Sequence, residues 1–96
     1  MSATEKARIL CVDDEPRVLE GLALHLGRIY EMVTATSGRE GLEVLVKRGP
    51  FTVVLSDMRM PGMDGAEFLS KVRQAASDST RMLLTGDADL QAAIAA

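Results

Sequence analysis

The sequence predicts an α/β fold, one domain built on a parallel sheet buried on both faces, and two observations carry the prediction. Continuous apolar runs, Ile9-Leu10-Cys11-Val12 and Val53-Val54-Leu55 among them, alternate with amphipathic stretches of helical period. Two of those runs also end in acid, the first in Asp13-Asp14-Glu15 and the other in Asp57. Strands that finish at one edge of a parallel sheet deliver their last residues to one place. At 96 residues the chain is long enough for a single core and no more.

The elements follow in order. The first strand is expected over residues 8–13. Pro16 suits the first position of a helix, which carries Val18, Leu19, Leu22, Ala23 and Leu26 at helical spacing and ends near Gly27. A second strand, 32–36, is shorter and more polar, as an edge strand would be. Ser37 followed by Glu40 is a capping-box signature for a second helix through Lys47, buried on Leu42, Leu45 and Val46. Gly49-Pro50 breaks that helix, and a third strand runs from Phe51 to Asp57. After a loop with turn chemistry at Pro61-Gly62, Asp64 and Glu67 offer a second capping box. The third helix is expected to reach Gln74 and to bury Phe68, Leu69 and Val72. A fourth strand is expected over 81–84, with Asp87 as the cap of a last helix from Ala88.

The fourth strand is fully apolar at Met82-Leu83-Leu84, which suits the interior of a sheet. No further strand follows it here, so the expectation is a sheet that lacks a closing strand and helix. Unsheltered edges associate with other chains. Self-association through that edge or the first-helix face is therefore expected, and residues 1–7 are expected to be flexible.

Composition narrows the function. A net charge of −3 argues against a nucleic-acid-binding surface, which is strongly basic. No run approaches the length of a membrane span, and the first residues lack the apolar core of a signal peptide. Cys11 lies within an apolar run and reads as a small buried hydrophobe in a reducing cytosol. His25 stands alone in a helix and reads as a surface or boundary residue.

The acidic residues at the strand ends carry the chemistry. Asp13, Asp14, Asp57 and Thr85 close three strands, and ligand sites of open α/β sheets lie outside the carboxyl ends of the strands. Each alone could simply cap a helix. Together, carboxylates that close raise each other's pKa unless a cation joins them, and Mg2+ is the natural partner. The pocket predicts metal-assisted phosphoryl chemistry.

These residues, with Ser56-Asp57-Met58-Arg59-Met60-Pro61-Gly62-Met63-Asp64-Gly65 and Leu83-Leu84-Thr85-Gly86, resemble the receiver domain of bacterial two-component response regulators. The resemblance covers nearly the whole chain. It implies a flavodoxin-like, doubly wound sheet with strand order 2-1-3-4 and a fifth strand and helix missing. Asp57 is then the phosphoacceptor, taking its phosphoryl group from a sensor histidine kinase or a phosphotransfer protein. Asp13 and Asp14 would hold Mg2+ with Asp57 and the backbone carbonyl of Arg59. Thr85 would be the switch hydroxyl that signals to an output domain outside this chain. Pro61 and Gly62 shape the loop, and Gly65 reads as helix-start geometry. The family also places a lysine at the end of a fifth strand and an aromatic within it. Lys6, Lys47, Lys71 and Tyr30 do not stand where those residues would.

Three functions are therefore in play. The first is a cytoplasmic signalling phosphoacceptor without conventional enzyme turnover. A truncated receiver serving as an interaction or dimerisation module is the second. The third, a Mg2+-dependent phosphohydrolase, lacks a general acid or base beyond the metal group.

Overall fold

The computed structural model describes residues 6–84. Seven elements alternate strictly: β1 (Arg8–Val12), α1 (Pro16–Leu26), β2 (Glu31–Ala35), α2 (Gly38–Arg48), β3 (Val53–Asp57), α3 (Gly65–Ala75) and β4 (Thr80–Leu84). All pairings are parallel and the strand order is β2-β1-β3-β4, the order that the resemblance to receiver domains implies. A helix forms each crossover, because parallel neighbours cannot be joined by a tight turn. Thr85, Gly86, the cap at Asp87 and the helix from Ala88 lie outside the described residues, as do residues 1–5.

Helices α2 and α3 cover one face of the sheet. There Leu10, Val12, Val33 and Val54 meet Leu45, Phe68 and Val72 in the larger core cluster. On the other face Leu19 of α1 packs with Ile9, Cys11 and Leu55. The central strands β1 and β3 are thus buried from both sides, which is why their sequences are nearly continuous apolar runs. Burial raises the Cys11 thiol pKa to about 11, as fits a side chain that only fills space. His25 lies exposed in the last turn of α1.

The helix starts follow the sequence signals with one variation. Pro16 is in the first turn of α1, where its missing N–H costs nothing. The Ser37 side chain accepts from the Glu40 N–H at 3.1 Å, and the Asp64 carboxylate accepts from the Glu67 N–H at 2.8 Å. Glu40 reaches back to the N–H of Thr36, one residue before the cap, so its carboxylate ties the end of β2 to α2.

Some boundaries and burials differ from expectation. β1 ends at Val12, β2 occupies 31–35, and α2 and α3 each run one residue further. Phe51 precedes β3 and is still 3% exposed, with the Arg8 guanidinium 4.6 Å above its ring. Arg8 also donates to the carbonyls of Arg48 and Pro50 and pairs with Glu31, closing the amino-terminal end of the sheet. Val46, expected in the core, is 80% exposed. Gly38, Gly41 and Leu45 define the buried face of α2 with Leu42 packed beside them, and Val46 falls roughly a quarter-turn away. Val18 of α1 is likewise exposed.

Strand β4 is the outermost of the described strands on its side. Met82, Leu83 and Leu84 are 50%, 39% and 37% exposed, although their composition suits a sheet interior.

Candidate functional site

Parallel register builds the acidic site. Val12 lies opposite Ser56 in the β1–β3 ladder, so the next residues of the two strands, Asp13 and Asp57, emerge side by side at the carboxyl edge. The Asp13 N–H donates to the Ala35 carbonyl at 3.1 Å, which extends pairing with β2 one step past the strand. Asp14 follows in the turn to α1. One carboxylate oxygen from each of Asp13, Asp14 and Asp57 lies within 4.8 Å of the others.

The three differ in exposure: Asp13 is buried, Asp57 half-buried and Asp14 exposed. Removal from water raises the Asp13 pKa, and the charges of Asp57 and Asp14 push it the same way. The Glu15 N–H, donating to Asp13 Oδ1 at 2.9 Å, opposes this in part. Hard carboxylate oxygens gathered at a solvent-open rim fit a Mg2+ ion, which keeps several waters and takes only one or two carboxylates. They fit a soft metal poorly, since sulfur and imidazole are absent from the cluster.

The loop after Asp57 is held by its backbone. The Met58 N–H donates to the Leu84 carbonyl at 3.2 Å, and the Met58 carbonyl accepts from the Gly65 N–H at 2.8 Å. Gly62, at φ +79°, takes the left-handed conformation that other residues resist. Met60 turns into the core, while Arg59 stays exposed and lines a cleft of about 360 Å³ with Met58, Met60, Pro61 and Asp64. A cleft of about 390 Å³ beside Leu45, Phe51 and Ala76 is lined by none of the acidic triad.

Two residues near the acid site have structural duties that the sequence reading missed. A Cβ on Gly65 would stand 2.1 Å from the Asp57 carbonyl oxygen, so α3 begins against the main chain of that aspartate. Helix-start geometry alone, as expected for this glycine, does not account for so close an approach. Ser56 is fully buried, and its hydroxyl donates to the same carbonyl at 2.9 Å. A serine after an apolar run gives no such signal in one dimension; the signal is the fold around it.

Comparison with known proteins shows what the chain is similar to. Residues 9–96 match the family model of the response regulator receiver domain. The chain is 35% identical over 91 residues to the hydrogenase transcriptional regulatory protein HoxA of Cupriavidus necator, covering 95% of this chain and 19% of that protein. Among solved structures it is similar to an adenylate cyclase from Rhodopirellula baltica, with a TM-score of 0.86 and 41% identity over 95% of this chain and 67% of the other. It is also similar to the Thermotoga maritima response regulator TrrA, solved in complex with Mg2+ and BeF. There the TM-score is 0.76 and identity 39%, over 82% of this chain and 69% of the other. The chain spans about a fifth of the length of the first curated relatives it matches.

Proposed function

Because the chain belongs to the response regulator receiver family, we propose that it is a phosphoacceptor domain whose acceptor is Asp57. The observation that carries this reading is the meeting of Asp13, Asp14 and Asp57 at the carboxyl edge of the sheet. A carboxylate oxygen of Asp57 attacks the phosphorus of a phosphohistidine on a sensor kinase or phosphotransfer protein. The N–P bond breaks, the imidazole leaves with the bond's electron pair, and Asp57 becomes an acyl phosphate. Asp13, Asp14, Asp57 and the Arg59 carbonyl would hold Mg2+, which when bound neutralises the crowded charge and aligns phosphoryl oxygens with the nucleophile.

The protein's own residues supply positioning. Asp13 is fixed by the Glu15 N–H, and the Asp57 main chain by the hydrogen bonds around Met58. Thr85 is the proposed switch hydroxyl, one residue after Leu84, whose carbonyl accepts from Met58. An output domain beyond residues 1–96 would read that switch, in keeping with the naming of HoxA and GlrR as transcriptional regulatory proteins. Among the described residues, no helix is long and apolar enough to cross a membrane.

Incubation with Mg2+ and a small acyl phosphate should give one acid-stable, base-labile phosphoryl adduct by mass spectrometry, abolished in Asp57→Ala. No adduct on the parent protein would overturn the reading. The exposed apolar residues of β4 favour a second role, association through that strand. Light scattering should then show mass rising with concentration, less so in Met82→Lys; a strictly monomeric parent at high concentration contradicts this role.

A further inference from the structure

Ser56 is wholly buried on β3 and carries the one polar group among Val53, Val54, Leu55 and itself. Burying a hydroxyl is costly, and alanine would occupy the same place without that cost. The hydrogen bond it makes spans a single residue, to the carbonyl of Asp57, so it ties no distant parts of the chain together. Ser79 provides the contrast: its buried hydroxyl donates to the Phe51 carbonyl at 2.6 Å, across 28 positions, and joins two segments.

What the Ser56 bond holds is one peptide unit. The carbonyl of Asp57 and the N–H of Met58 belong to the same plane. Ser56 bonds the first and the Leu84 carbonyl bonds the second. Gly65 abuts that carbonyl as well, close enough that no side-chain carbon fits between. This peptide separates the Asp57 carboxylate from the main chain at Arg59.

We propose that Ser56 is a positioning residue for the acceptor site: its hydroxyl locks the Asp57–Met58 peptide plane and so sets the spacing between the Asp57 carboxylate and the Arg59 carbonyl. The inference rests on the reading of Asp57 as acceptor. Ser56→Ala removes the bond and nothing larger, while Ser56→Thr keeps a hydroxyl on the same carbon. Three quantities are compared with the parent: Mg2+ affinity by calorimetry without phosphodonor, the rate of adduct formation with a small acyl phosphate, and the melting temperature.

In Ser56→Ala, Mg2+ affinity and adduct rate should each fall about tenfold, the scale of one lost hydrogen bond felt at a preorganised site. The melting temperature should change little, and Ser56→Thr should recover most of both losses. Ser56→Ala matching the parent in affinity and rate overturns the proposal, whatever its melting temperature, because the hydroxyl would then be merely structural. Failure of the underlying reading looks different: the parent itself would form no adduct, and the proposal would fall with it.

Discussion

Within the acidic cluster, the Asp13 carboxyl has a raised pKa. It is buried, and desolvation followed by the charges of Asp57 and Asp14 lifts its pKa above the ordinary 3.8. A carboxyl raised in the folded state contributes stability that is complete below its unfolded pKa. That contribution is lost as pH rises through the raised folded value. Without metal, Asp13→Asn should therefore gain on the parent as pH climbs from about 3 to about 7, since the amide keeps the acceptor for the Glu15 N–H and never ionises. Paired thermal melts across that range check this, and a stability difference that is flat or shrinks with pH contradicts it.

At the scale of elements, the junction between β3 and α3 is where local rules and packing part company. Replacing glycine by alanine inside a helix is ordinarily stabilising by about 1 kcal/mol. At Gly65 the added Cβ would meet the Asp57 carbonyl oxygen at 2.1 Å and the Leu83 side chain at 2.8 Å. The oxygen is backbone and can yield only if α3 backs away from the sheet. Gly65→Ala should thus destabilise by roughly 2–4 kcal/mol, an overpacking cost. Urea unfolding that shows a gain in stability would contradict the assignment. Helix α2 teaches the complementary lesson. Its buried face is marked by two glycines as much as by Leu45, so counting large apolar residues placed Val46 inside when it lies outside.

For the whole molecule, the sheet brings together charges that the chain alone keeps 43 residues apart, between Asp14 and Asp57. Their repulsion is the cost of a site ready for a cation. Asp57→Asn should raise metal-free stability by on the order of 1 kcal/mol at neutral pH, a few degrees in Tm. Mg2+ at a hundred times its Kd should stabilise the parent by about 2.7 kcal/mol, reversibly on chelation, and Asp57→Asn by much less. Melts in which both proteins respond equally to Mg2+ would place the ion elsewhere. Exposure of Met82, Leu83 and Leu84 on β4 is the other property of this scale.

Much of this was legible in one dimension. The alternation of runs, the caps at Ser37 and Asp64, the start at Pro16, the edge character of β2 and the acids at the strand ends are local signals, because helix and strand periods and orphan N–H groups act over a few residues. From them the sequence alone determined the element order, the parallel sheet and the candidate acids Asp13, Asp14 and Asp57. Only the tertiary structure decided that Val12 faces Ser56, that Asp13 is the buried acid, that Val46 is outside, and that Ser56 and Gly65 converge on one carbonyl. Those facts depend on register and on which helix lies over which strand, and contacts between residues far apart in sequence leave no mark in the periodicity of either segment.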